Sequence, residues 1–345
     1  MRFWKLFLCV CLIALACSSR FGVVPAWAQE KIVLVGSGSN VPLRLYQAWI
    51  DEFNKRDPGV QVQYLALGTS QSIKQISEGS GDFGGGEVPL TNEQMHGHKV
   101  SLIQIPTVLV GIVPIYNVPG KPDLDFSGEL LAQIYLGEVK NWKDPKIAKL
   151  NPDVNLPDLP IRVVHRSPGK GSNYIFTDLL SKTNAEFRNR VGKSASPKWP
   201  VGVEANRGED MMEKVSSTPG AIGYVEVNFV RTAGIGYGRV ENTAGRFVRA
   251  TPASIDAACH AEEKAISENF QVSMTNASGK DSYPISSFTW IYVPVSGVAP
   301  ARSHALKEFL EWCMHDGQKI AKDMGYAVLP DKVHSAARAA VKSLQ

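Results

Sequence analysis

Five short apolar, β-branched runs punctuate the chain: Lys31–Val35, Val60–Leu67, Ile161–His165, Ala221–Val227 and Thr289–Val295. Each is bounded by glycine, proline or polar residues, the pattern that predicts strands. Between them the period changes. Leu43, Tyr46, Trp49, Ile50 and Phe53 mark one face of a helix, and Leu306, Phe309, Leu310 and Cys313 mark another near the end of the chain. Strands alternating with helices predict an α/β architecture with a mixed, mostly parallel sheet. The Pro- and Gly-rich segments Val118–Asp123 and Asn151–Pro160 read as surface connections. Neither is long enough to be a flexible linker, so the chain is expected to form two lobes joined by more than one crossover.

Three strands run into a Gly/Ser/Thr-rich turn with a helix directly behind it. The turns are Gly36-Ser37-Gly38-Ser39-Asn40, Gly68-Thr69-Ser70-Gln71-Ser72 and Arg166-Ser167-Pro168-Gly169-Lys170-Gly171-Ser172. Asn40 is the expected N-cap of the first helix, with Pro42 in its first turn. Ile73 and Ile76 give the second helix its face, with Gly79 as its stop. Ile175, Phe176, Leu179 and Leu180 do so for the third. Helix N-termini carry unpaired N–H groups and a partial positive charge, so each is an anion site in principle. Any one such turn is ordinary in an α/β protein. Three of them, one holding Arg166 and Lys170, point to an oxyanion, which a guanidinium fork matches. A fourth segment, Asp82-Phe83-Gly84-Gly85-Gly86-Glu87, has glycines that let backbone pass close to a ligand. Glu87 reads equally as a solvated surface carboxylate or as an acceptor for a protonated ligand oxygen.

The N-terminus changes the charge balance. Arg2 and Lys5 precede the apolar run Leu6–Ala16, and Ala26-Trp27-Ala28 fits a signal-peptidase site, so residues 1–28 are expected to be a cleaved export signal. The run is short for a membrane span. Ala14-Leu15-Ala16 before Cys17 is a poor lipobox, which leaves lipidation the minor alternative. Residues 1–28 hold three of the 37 basic residues and no acid, so the remainder has a net charge of +1. Such a balance does not call for a nucleic-acid partner. Of five cysteines, Cys9, Cys11 and Cys17 belong to the leader. Cys259 and Cys313 either pair or stay as separate buried thiols, and their spacing leaves both open.

Taken in order, these segments resemble the Pst-type phosphate-binding proteins of ABC importers. The resemblance is carried by Gly36–Pro42, Tyr46-Gln47-Ala48-Trp49, Gly68-Thr69-Ser70, Asp82-Phe83-Gly84, Gln104-Ile105-Pro106-Thr107, Asn141-Trp142-Lys143-Asp144-Pro145, Val163–Ser167, Trp199–Val203, Pro219–Val225 and Tyr283-Pro284-Ile285-Ser286. It runs from about Lys31 to about Pro330. It implies a class II periplasmic-binding-protein fold in which two lobes close over a dehydrated phosphate. The lobes would be residues 29–107 with 282–345, and 108–281. It also implies a periplasmic monomer that hands inorganic phosphate, or arsenate, to permease and ATPase subunits. Carried over by position, the anion contacts are Asn40, Val41, Thr69, Glu87, Arg166, Lys170, Gly171 and Ser172. Several of these depart from the family pattern. Asn40-Val41 stands for Thr-Phe, Glu87 for Asp, Pro168 for the acid that partners the arginine, and Lys170 for a hydroxyl donor. The site becomes more positive by two formal charges, which marks a divergent member. An oxyanion sensor or receptor without a transport role is the alternative.

No enzyme signature competes. Gly192-Lys193-Ser194 has the tail of a P-loop, but position 187 is Phe. No Gly-x-Ser-x-Gly elbow occurs. His96 and His98 sit in a loop with no Cys or carboxylate cluster beside them, so no metal and no cofactor are expected.

Overall fold

A computed structural model describes residues 31–97, 99–233, 236–266 and 270–344. The expected leader 1–28 and His98 lie outside the described residues. Among the described residues no helix is long and apolar enough to cross a membrane.

Eleven strands form among the described residues: β1 Ile32–Gly38, β2 Val60–Leu65, β3 Phe83–Gly86, β4 Leu102–Tyr116, β5 Asp125–Phe126, β6 Arg162–Arg166, β7 Val203–Ala205, β8 Ala221–Glu226, β9 Arg239–Glu241, β10 Phe247–Val248 and β11 Ser286–Pro294. Eight of them make one sheet in the order β2-β1-β3-β11-β4-β8-β6-β7. Parallel pairs occupy both wings, while β11 runs antiparallel to β3 and β4, and β8 antiparallel to β4. The sheet is therefore mixed, with its parallel character confined to the wings.

The long strand β4 joins the two halves. Leu102 to Gly111 pairs with β11, and Ile112 to Tyr116 pairs with β8. Pro106 gives this central strand no N–H to donate. The ladder accommodates it with a register shift at Thr289/Trp290 that passes over Thr107. The displaced Thr107 hydroxyl bonds Thr289 Oγ1 at 2.6 Å and Tyr46 Oη at 2.8 Å, so the irregularity is satisfied internally.

Helices cover the sheet for the reasons their patterns give. In Leu43–Arg56 the side chains of Leu45, Tyr46, Trp49, Ile50 and Phe53 are buried, and Trp49 Nε1 donates to Gly317 O at 2.7 Å. The helix starts with Pro42, not Asn40, at its N-cap position, and no side chain caps it. Asn40 Oδ1 is left buried without a partner. The glycines of β1 and β3 also serve packing. A methyl group at Gly36 would lie 2.1 Å from the Phe83 ring, and one at Gly84 2.7 Å from Ser72 Oγ. The first Gly-rich "turn" is thus mostly strand. Gly84 and Gly86 let the helix Thr69–Ser77 lie against β3.

Cys259 and Cys313 are both free and buried. At the junction of the halves Glu226 ends β8 opposite Ile112 and is 2% exposed. Its Oε1 accepts from Asn228 Nδ2 at 3.0 Å, and its Oε2 has no partner.

Candidate functional site

Two helices begin at the open ends of their strands and face one another. The helix Thr69–Ser77 starts behind Gly68, whose φ of 103° suits glycine, and the helix Gly171–Thr183 starts behind Lys170. Neither has a side-chain cap, so no side chain occupies the N–H groups of Thr69, Gly171 and Ser172. Their turns touch directly: Ser70 N–H donates to Gly169 O at 3.1 Å. A methyl group at Gly171 would lie 2.7 Å from Thr69 Oγ1.

Glu87 sits where these termini meet. It leaves β3 fully buried, and Thr69 Oγ1 donates to its Oε2 at 3.1 Å. A methyl group at Gly171 would come within 1.8 Å of the same oxygen, so only glycine fits the helix start. Glu87 Oε1 is buried with no partner. Burial pushes the Glu87 carboxyl up to about 7, opposed by the Ser39 and Thr69 hydroxyls and by the Arg166 charge. The surface reading of Glu87 is therefore overturned. What buries it comes from distant chain, including Tyr292, whose Oη donates to Val88 O at 2.7 Å.

Arg166 ends β6 and is 3% exposed. Its Nε donates to Ala205 O at 3.2 Å, its Nη2 to Asn206 O at 2.9 Å and its Nη1 to Ser172 Oγ at 3.4 Å. Among the described residues no carboxylate comes within ion-pair distance of it. Burial lowers its proton affinity, and Glu87, Glu209 and Asp210 oppose this from farther away. Pro168 and Gly169, the latter at φ 81°, form the turn behind it. Proline at the second corner position and a positive-φ glycine at the third are the chemistry of a tight turn.

Lys170 is half-buried on the rim. A methyl group at Gly68 would lie 3.4 Å from its Nζ, so the side chain lies over the opposite turn. Burial, and then the Arg166 charge, lower its pKa.

The structure thus brings Thr69, Glu87, Arg166, Gly171 and Ser172 together, with Lys170 above them. Asn40 and Val41 are placed by the end of β1, beyond Ser39, which hydrogen bonds Gly85 O through its N–H at 2.9 Å and accepts Val41 N–H at 3.0 Å. Three further contributors were not among the predicted contacts, although Ser39 lies in the first Gly/Ser turn and Tyr224 in a segment that carries the resemblance. Ser39 acts on Glu87. Asn173 Nδ2 donates to Ser167 O at 2.8 Å and Ala195 O at 3.0 Å, and Tyr224 Oη accepts Arg166 N–H at 3.1 Å. Together the last two fix the Arg166 turn.

The chain matches the PBP superfamily domain over residues 24–316. The phosphate-binding protein PstS of Haemophilus influenzae is 34% identical over 91% of this chain and 93% of its own length. That of Xylella fastidiosa is 33% identical over 89% and 84%. A crystal structure titled as a putative phosphate ABC transporter substrate-binding protein with bound phosphate, from Clostridium perfringens, shares the fold with a TM-score of 0.61. It is 19% identical and covers 86% of this chain and all of that one. With this coverage and identity, the chain belongs to the PBP superfamily and, within it, to the PstS family of phosphate-binding proteins.

Proposed function

We propose that this protein captures inorganic phosphate, or arsenate of the same shape, and delivers it to the permease and ATPase subunits of an ABC importer in the periplasm. The observation that carries this reading is the convergence of two uncapped helix starts, the buried Arg166 and the buried Glu87 on one small volume. Arg166, the N–H groups of Gly171 and Ser172, the Ser172 and Thr69 hydroxyls and Lys170 offer donors to anionic oxygens. Asn40 and Val41, next to Ser39 beyond the end of β1, complete the set. Ionised Glu87 accepts the proton that phosphate carries and sulfate lacks, so sulfate meets an unpaired, repelling acceptor. Nothing in this arrangement forms or breaks a bond, which favours binding over catalysis.

Thr69 and Glu87 belong to the β1–β3 wing, and Arg166 to Ser172 to the β6–β8 wing. The lobes that would close on the anion are residues 29–107 with 282–345, and residues 108–281. The change of partners within β4 at Gly111/Ile112 lies near that boundary and favours it as hinge. Anion bound to both wings stabilises the closed form by its differential affinity. Export by residues 1–28 and action as a monomer complete the proposal.

Isothermal titration of the purified protein, freed of anion, with phosphate, arsenate and sulfate is the test. Phosphate and arsenate should bind and sulfate should not at pH 8. Sulfate binding alone, or no binding of any of the three, refutes phosphate capture.

A further inference from the structure

We propose that the Glu87 carboxylate is a tethered competitor for the anion seat, holding the two wings together itself and setting how tightly a solute binds. The inference rests on the anion-capture reading and adds the determinant of its affinity.

Glu87 Oε2 already takes what a solute oxygen would take. It accepts the Thr69 hydroxyl at 3.1 Å and rests on the backbone of Gly171, where an added methyl group would stand 1.8 Å away. Thr69 lies on one wing and Gly171 on the other, so one carboxylate hydrogen bonds the first and lies against the second. A helix start with no side-chain cap attracts any carboxylate placed before it. Here the protein supplies one.

The other oxygen leaves this contact open to exchange. Two other buried carboxylates are fully engaged, whereas Glu226, at the junction of the halves, also has an oxygen without a partner. Asp82 takes Arg302 through both oxygens at 2.8 and 2.7 Å and Val35 N–H at 2.6 Å. Asp178 takes Thr275 Oγ1 at 2.6 Å, the Ser273 hydroxyl and the ammonium of Lys182 at 3.4 Å. Glu87, equally buried, leaves Oε1 without a partner. An unpaired buried acceptor is costly and makes the contact exchangeable. Arg166 stays out of ion-pair range of Glu87 and keeps its charge for an incoming anion. A solute that brings more than one oxygen engages Arg166, Thr69 and the helix start together, and the carboxylate withdraws to accept its proton.

Reach is therefore the variable. An aspartate at this position, one C–C bond of about 1.5 Å shorter, keeps the acceptor but no longer rests on Gly171. Titration of Glu87→Asp with phosphate should give a Kd about threefold to thirtyfold lower than wild type, as expected when a carboxylate no longer competes for the helix start. A Kd equal to or above that of a phosphate-binding wild type overturns the proposal and leaves phosphate capture intact. Small-angle scattering supplies a readout that needs no solute. Anion-free Glu87→Ala, folded by circular dichroism, should have a larger radius of gyration than anion-free wild type, and equal radii overturn the bridging role. If the wild type binds neither phosphate nor arsenate, the capture reading fails and this inference fails with it.

Discussion

Replacing Arg166 with methionine separates anion binding from folding. The guanidinium is 3% exposed and, among the described residues, no carboxylate is within ion-pair distance. It is held by the carbonyls of Ala205 and Asn206 and by Ser172 Oγ. Desolvating such a cation costs several kcal/mol, which three hydrogen bonds to neutral groups of about 1.5–3 kcal/mol each largely offset. Methionine fills the volume, removes the desolvation cost and leaves two carbonyls wanting donors at about 1–3 kcal/mol each. The opposing effects nearly cancel, so the anion-free Tm should move little. Binding has no such compensation. Two charge-assisted bonds from guanidinium to a phosphate oxygen pair are worth ~3–6 kcal/mol, or about 10²–10⁴ in Kd. Phosphate at a hundred times Kd should raise wild-type stability by about 2.7 kcal/mol. Arg166→Met should keep the anion-free Tm and show no shift at the same phosphate concentration. A Kd within tenfold of wild type would refute the placing of Arg166 at the anion.

Selectivity should depend on pH through Glu87, which faces Arg166, Thr69 and Ser39 with Tyr46, Tyr64 and Tyr292 behind it. Below about 7 its carboxyl is protonated and donates to a bare oxyanion, so the phosphate-to-sulfate affinity ratio should fall on acidification from pH 8.5 to 6; a constant ratio removes Glu87 as the discriminator. Lys170→Ser should weaken phosphate binding no more than about fivefold, since a half-exposed ammonium is worth at most ~1 kcal/mol, and should flatten the salt dependence; an unchanged salt slope means the ammonium points away. Glu226 is raised by burial to about 8, with Asn228, Arg44, Arg231 and Tyr326 facing it. The folded state keeps that proton after the unfolded state has lost it, so its contribution is full below the ordinary carboxyl range and is lost as pH rises to about 8. Glu226→Gln should gain on wild type with rising pH, by up to about 1.4 kcal/mol per unit; parallel melting curves from pH 5 to 8 would show that Glu226 is ionised throughout.

The strands that local pattern predicts are those built from consecutive β-branched residues, and β1, β2, β6, β8 and β11 fall where the runs lie. The longest strand, β4, escapes because Pro106, Gly111 and Pro114 break its pattern, and its bulge at Thr107 is stabilised by Thr289 and Tyr46 from far along the chain. β3 escapes for the opposite reason. Gly84 to Gly86 present no side chains, so the segment has no period, and its glycines answer to Ser72, Tyr64 and Thr69. The antiparallel centre is equally hidden, since it depends on the late strand β11 returning between β3 and β4. Cys259 and Cys313 could not be assigned from spacing, and the two helices that carry them keep both thiols in the core.

The site follows the same division. Thr69, Gly171 and Ser172 are legible because their chemistry is local: glycine and hydroxyl at a helix start mean donors without a cap. Arg166 is legible by type, and Glu87 only as a choice between surface and site. Its burial is decided by Tyr292, Thr69 and Gly171, none adjacent in sequence. The change of acid to Pro168 likewise acquires its meaning in three dimensions. Pro168 is exposed in a tight turn, and the Arg166 it fails to neutralise is held by carbonyls and remote acids. A buried cation so held keeps most of its attraction for charge that arrives from outside. Lys170, repelled by Arg166 and lodged over Gly68, adds to that attraction at the rim. The departures from the family pattern thus act in opposite directions: two strengthen the pull on an anion, and the longer carboxylate of Glu87 competes for its seat.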